Sequence, residues 1–227
     1  SLQSPQILQL SGIGPAELLK KHDIPIIYDS PEVGQNLQDH YQVRGIVKLK
    51  NNNGSVNNQS RNPFKIAEWG LRWLLFGSGP LTCGAGQVGG AACSKFSKKG
   101  RPDLQFNVMP LSVDKPGEPL HNYPGFTASV WQCHPESRGS LKIKSTDPKE
   151  QAEIRPEYLS TKLDQNVIVD GIKMIRSIFN QPSFRDLWEK EMLPGDSVKS
   201  DEEILHWAKH NGGTVFHAVG TCRMGND

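Results

Sequence analysis

Apolar residues recur at every second position in four stretches of the chain. Asp103 to Met109 is the cleanest, with Leu104, Phe106 and Val108 on one face, and Phe126 to Gln132 repeats it through Phe126, Ala128 and Val130. Ser140 to Lys144 alternates through Leu141 and Ile143, while Val43 to Lys50 is rich in Val, Ile and Leu and alternates more weakly. A period of two is the pleat of a half-buried strand. The four stretches therefore predict a central, mainly antiparallel sheet, with Phe126 to Lys144 forming neighbouring strands joined through Pro135. A shorter apolar run, Ile24 to Tyr28, reads as a buried strand ended by Ser30-Pro31.

Helical spacing fills the intervals. Val167, Ile168, Ile172, Ile175, Ile178 and Phe179 recur three and four apart, which predicts a helix over Asp164 to Asn180, capped by Asp164 and packed on one face of the sheet. Pro63 to Phe76 is a second apolar helix, stopped by Gly77-Ser78-Gly79-Pro80, with tryptophans that read as core anchors. Ser200-Asp201-Glu202-Glu203 has the form of a capping box opening Asp201 to Asn211, and Gly212-Gly213 stops it. Near the start, Ser4-Pro5 predicts a helix N-cap and first position, and Ala16 to Lys21 a further short helix with Leu18 and Leu19 inward. Asn51 to Asn62 reads as a polar surface loop. Strands with helices clustered between and after them make the fold class α+β, with a mainly antiparallel or mixed sheet.

Composition narrows the function classes. The chain has 227 residues, with 26 Lys and Arg against 24 Asp and Glu, a formal charge of +2, and its basic residues are scattered, so nucleic acid is not an expected partner. No apolar run approaches the roughly 20 residues of a spanning helix, and an integral membrane segment is not expected. Cys83, Cys93, Cys133 and Cys222 form no Cys-x-x-Cys pair, so neither a disulfide framework nor a structural zinc is expected. His206 and His210 stand one helical turn apart but lack the following Glu of a metallopeptidase and flank Lys209, which reads as a polar helix face; no metal site is expected. Gly84-Ala85-Gly86-Gln87-Val88-Gly89 has the letters of a dinucleotide loop. With no aliphatic strand before it and no acidic residue about 20 positions on, it reads as a Gly-rich loop or bulged strand.

His217 lies in Thr214-Val215-Phe216-His217-Ala218-Val219-Gly220-Thr221-Cys222-Arg223-Met224-Gly225, after a Gly-Gly helix stop and an apolar step. From the residues alone, structural and catalytic readings of this histidine stand level, and Asp39-His40 is a polar pair in a loop. The run resembles the catalytic-histidine segment of the glucose-methanol-choline (GMC) family of flavin-dependent alcohol oxidoreductases. Three further matches keep family order: Ser4-Pro5-Gln6-Ile7-Leu8-Gln9-Leu10-Ser11-Gly12-Ile13-Gly14, Val33-Gly34-Gln35-Asn36-Leu37-Gln38-Asp39-His40, and Ser137-Arg138-Gly139 with Ile154 to Leu159. The wording is most similar to the choline dehydrogenase-like, bacterial alcohol dehydrogenase group.

The resemblance implies FAD as cofactor, a small-molecule alcohol as substrate and an aldehyde as product, with hydride passing to flavin N5 and His217 as base. It implies flavin-side roles for Asn36, Asp39 and His40. It divides the chain into the end of a flavin-binding region (1–44), a substrate-binding domain (45–210) and the start of a catalytic C-terminal segment (211–227). Family segments are expected before Ser1 and after Asp227, including the phosphate loop and a second catalytic His or Asn. On that reading this stretch alone should bind FAD weakly, and Ser1 to Asp39 and Asn211 to Asp227 should be exposed or covered by another copy of the chain. A non-redox relative that cleaves cyanohydrins and an inactive folded piece remain alternatives. The particular alcohol, the electron acceptor and the cellular location stay open.

Overall fold

The computed structural model describes residues 2–52, 54–114 and 117–225. In chain order its elements are α1 (Gln3–Leu10), β1 (Ile13–Gly14), α2 (Ala16–Lys21), β2 (Tyr28–Asp29), β3 (Tyr41–Leu49), α3 (Pro63–Phe76), β4 (Val88–Ala92), β5 (Leu104–Met109), β6 (Gly125–Gln132), β7 (Ser140–Lys142), β8 (Glu153–Arg155), α4 (Lys162–Phe179), α5 (Pro182–Arg185), β9 (Trp188–Leu193), α6 (Asp201–Asn211) and β10 (Gly213–Thr214). They make two compact units. The first comprises Ser1–Tyr41, His134–Gln165 and Gly213–Asp227; the second comprises Gln42–Cys133 and Asn166–Gly212. The fold is α+β with a mainly antiparallel sheet.

In the second unit the strand order is β3, β6, β5, β4, and β9 pairs with β3. Val130 of β6 stands opposite Val43 on one side and Phe106 on the other. Helix α4 buries Val167, Ile168, Ile172, Ile175 and Phe179, the stripe its periodicity predicts, but Ile178 is half exposed. Two glycines let helix and sheet close up: a Cβ on Gly171 would lie 3.0 Å from Val130 Cγ2, and one on Gly45 only 2.8 Å from Ile175 Cγ2. Arg176 of α4 then reaches β9 through a two-pronged ion pair to buried Glu191, both contacts 3.0 Å. Such forked pairing fixes direction as well as charge.

In the first unit the side chain of Gln9 on α1 is the crossbeam. It is fully buried, donates to Val33 O (3.1 Å) and Leu141 O (3.3 Å), and accepts from Ile143 N at 3.0 Å. These bonds tie α1, the Val33–His40 segment and β7 together; β7 pairs with β8. Asp164 accepts from the backbone of Glu136 and Ser137 and from the Ser137 hydroxyl, which fixes the turn before β7.

Several expectations need correction. Ser140 to Lys144 does not join the central sheet beside β6: Ser140 pairs with Arg155 in a separate ladder of the first unit, because alternation specifies a buried face and not a neighbour. Ile24 to Tyr28 is not a buried strand, since Ile26, Ile27 and Tyr28 are exposed and pairing begins only at Tyr28. Helix α1 starts before Ser4 and Leu2 stands at its N-cap; Pro5 is tolerated inside the first turn because N–H groups there have no intrahelical acceptor. Asp164 is not the cap of α4: the helix begins at Lys162, and Thr161 Oγ1 accepts from Asp164 N. The Asn51 to Asn62 loop is anchored by fully buried Asn57, whose amide bonds Ser112, His121 and Tyr123. Of the α3 tryptophans Trp69 is buried and Trp73 exposed. Within Ser1 to Asp39, Leu19, Val33, Leu37 and Gln9 are buried, against the expected exposure.

Strands β1, β4, β8, β9 and β10 lie outside the stretches whose period predicts a strand. β4 reads Val-Gly-Gly-Ala-Ala and is mostly exposed, so its composition looks like loop. β9 reads Trp-Glu-Lys-Glu-Met-Leu, and its charge hides a strand whose inward Glu is neutralised by Arg176.

Candidate functional site

The site forms where the loop after Val33 meets the loop after β10, both within the first unit. Gln38 and Val219 exchange backbone hydrogen bonds of 2.9 and 2.8 Å, Gly34 N donates to Thr221 O, and Val215 N donates to His40 O. The approach is close: Gly220 has φ +90°, and a Cβ there would sit 2.3 Å from Asn36 O. Only glycine adopts that conformation without strain. Asn36 itself has φ 57°, and its amide donates to Glu32, which also pairs with Arg223 at 3.1 Å.

Asp39 is the hub. Its Oδ1 accepts from the backbone N–H of both His40 and His217, each at 2.9 Å. Its Oδ2 accepts from the Tyr158 hydroxyl and the Thr214 hydroxyl, each at 2.5 Å. Thr214 Oγ1 in turn accepts from Phe216 N at 2.8 Å. These bonds hold Phe216 at φ 63°, a left-handed conformation that costs an L-residue about 1–2 kcal/mol. The following residue, His217, is thereby presented at the surface of the chain.

The rings of His40 and His217 meet edge to face, with centroids 5.2 Å apart and an interplanar angle of 76°. Their Nδ1 atoms are 3.0 Å apart. Burial, reinforced by the bond to the Asp39 carboxylate, pushes the Tyr158 phenol above its ordinary range, so it is a standing donor. A cavity of about 1040 Å³ is lined by Asp39, Tyr158, Thr214, Phe216 and Ala218 together with Gln3 and Ser4 of α1, and not by the two histidines.

The structure thus brings Asp39, His40 and His217 together and places Asn36 on the adjoining backbone. Sequence reasoning gave no role to Tyr158 or Thr214. Tyr158 is 119 positions from Asp39 in the chain, and although it lies in the Ile154 to Leu159 run, nothing in that run marks a role for its hydroxyl. Elsewhere, His210 Nδ1 bonds the carbonyl of His206 at 2.7 Å, and among the described residues no group of three or more His, Cys, Asp or Glu side chains is placed to hold a metal ion. No described helix is long and apolar enough to cross a membrane.

The whole chain is 35% identical to an alcohol dehydrogenase [acceptor] of Pseudomonas putida, of which it covers 41%. It is 36% identical, over 99% of its length, to an oxygen-dependent choline dehydrogenase of Brucella anthropi, of which it covers 40%. It therefore spans about two fifths of the length of these curated relatives. Among solved structures, a formate oxidase of Aspergillus oryzae, described for its FAD modification, superposes with a TM-score of 0.86 at 26% identity, covering 98% of this chain and 43% of the oxidase. Family models for the N-terminal and C-terminal parts of GMC oxidoreductases match residues 1–42 and 135–227, together more than half of the sequence, and the chain belongs to the GMC oxidoreductase family.

Proposed function

We propose that the protein oxidises an alcohol to the aldehyde with FAD as its redox group, and that His217 is the base for the alcohol hydroxyl. The observation that carries this reading is the fixed histidine pair: His217 is anchored through its backbone to Asp39, which itself lines the cavity, and its ring is paired with His40. The names of the relatives supply the reaction class, and the formate oxidase supplies the precedent for FAD.

The cavity suits a flavin. Its volume is at the upper end of small-molecule and cofactor sites, about 300–1,000 Å³. Tyr158 and Phe216 offer ring surfaces, while the first turn of α1 has no acidic residue and no side-chain cap. The N–H groups of such a turn favour electron-rich oxygens. Gln3, Ser4, Tyr158 and Phe216 would hold the ring system. Of the residues expected at the cofactor, Asp39 lines this cavity, and we assign Asp39 and His40 to the support of His217.

The chemistry a bound FAD supplies is acceptance of hydride from the alcohol carbon. His217 accepts the hydroxyl proton as negative charge grows on the alcohol oxygen, which lets the carbon–oxygen double bond form as the hydride leaves. Asp39 keeps the imidazole in place by holding its backbone, and the left-handed Phe216 turns the ring outward.

His217→Ala is expected to slow alcohol-dependent flavin reduction roughly 100-fold or more, the scale of losing a general base. Anaerobic single-turnover stopped-flow at the flavin band measures it. Wild-type reduction in a variant that retains its flavin would remove His217 from the reaction.

A further inference from the structure

We infer that His40 is a positioning residue that accepts the Nδ1 proton of His217 and so leaves His217 Nε2 unprotonated for the alcohol. The inference rests on His217 being the base.

Two Nδ1 atoms 3.0 Å apart cannot both carry a proton along the line between them, nor can both be bare without repulsion of their lone pairs. One ring donates and the other accepts. If His40 donated, the proton of neutral His217 would sit on Nε2, the one ring nitrogen not occupied by His40, and nothing would remain to take a proton from a hydroxyl. If His217 donates, its Nε2 carries the free lone pair, the arrangement a base requires.

The backbone presets the choice of partner. A single oxygen, Asp39 Oδ1, accepts from the N–H groups of both histidines, so the spacing of the two rings is built into one carboxylate. Tyr158 and Thr214 occupy the other oxygen, which prevents the carboxylate from turning away. The imidazole of His40 is thereby held against His217.

The proton balance is simple. The alcohol O–H proton moves to His217 Nε2, the ring becomes imidazolium, and the proton on Nδ1 stays in its bond to His40 Nδ1. That bond changes from neutral to charge-assisted as the reaction proceeds, and such bonds are roughly twice as strong. His40 therefore stabilises the state after proton transfer more than the state before it, which affects rate and not alcohol binding.

The test joins nitrogen NMR of isotope-labelled histidine to rapid kinetics, both on the flavin-loaded protein, with the His217 signal assigned by its loss in His217→Gln. In the wild type, neutral His217 is expected to carry its proton on Nδ1. His40→Ala should give a mixture of tautomers and slow flavin reduction about 10- to 100-fold, the range of one hydrogen bond to a charged group, with half-saturating alcohol changed by less than about twofold. His40→Asn, whose amide oxygen can stand in for Nδ1, should restore the tautomer and most of the rate. A wild-type proton on Nε2 overturns the inference even if the His40 variants do not fold. So does an undiminished rate in His40→Ala alongside a slow His217→Ala. Failure of the alcohol-oxidation reading is seen separately, as wild-type reduction in His217→Ala.

Discussion

Asp39 shows how one side chain organises a site from distant parts of a chain. It collects two backbone donors and two hydroxyls, and the hydroxyls have a freedom the backbone lacks: each can turn and accept instead of donate. An asparagine can therefore keep all four contacts, with its oxygen toward the N–H groups and its amine toward Tyr158 and Thr214. Asp39→Asn should cost less than about 1 kcal/mol, whereas Asp39→Ala, which strands the donors, should cost about 1–3 kcal/mol, as read from urea unfolding. Equal losses in the two variants would mean that charge, not hydrogen-bond geometry, matters there. Tyr158 adds a pH test. Its folded-state pKa is raised by burial and by Asp39, so its contribution is complete below the unfolded value of about 10 and declines as pH rises beyond it. Wild type should lose stability relative to Tyr158→Phe above about pH 10; parallel melting curves from pH 8 to 11 would contradict this. Of these residues, Asp39, His40 and His217 stood out in the sequence because they sit in short recognisable runs. Their partnership did not, because Asp39 and His217 are 178 positions apart.

At the scale of elements, periodicity revealed which faces are buried and left the partners open. α3 and α6 follow their local signals closely: Asn62 caps the first and Gly77 ends it with φ 55°, and Ser200 and Glu203 complete the capping box of the second. β7 alternates too, yet belongs to another ladder, since nothing in a three-residue strand names its neighbour. In α4 the same six-residue stripe contains five buried positions and one, Ile178, that is 49% exposed. Ile172→Ala should therefore cost about 2–5 kcal/mol, the range for emptying a packed core position, while Ile178→Ala should stay within about 1 kcal/mol. Gly45→Val tests the close approach from the strand side. Its new methyl groups would crowd the Ile175 side chain that already lies 2.8 Å from a Cβ at this position, and a loss of about 1–3 kcal/mol is expected. Unaltered urea midpoints for Gly45→Val would show that α4 is free to slide.

At the scale of the whole molecule the two units are nested in the chain: the first is drawn from three stretches and the second from the two that lie between them. Hydrophobic period and capping signals carry no mark of this, because they span at most a few turns. The nesting has a thermodynamic consequence. The stretches bearing Asp39, Tyr158 and His217 are connected only through the second unit, so its unfolding turns their links into long flexible loops and adds closure entropy to every contact among them. The reverse dependence is weaker, since the second unit has a single break, from Cys133 to Asn166, filled by the 32 residues His134–Gln165. Hydrogen exchange separates the directions. Ile172→Ala, in the second unit, should lower protection of the Val130 amide in β6 and of the Leu141 amide that donates to Gly34 O. Gln9→Ala, which strands Ile143 N and two carbonyls inside the first unit, should lower protection at Leu141 by about 1–3 kcal/mol and leave Val130 nearly as in the wild type. If Leu141 keeps its full protection in Ile172→Ala while Val130 loses its own, the first unit closes without help from the second, and the histidine pair depends only on the segments that carry it.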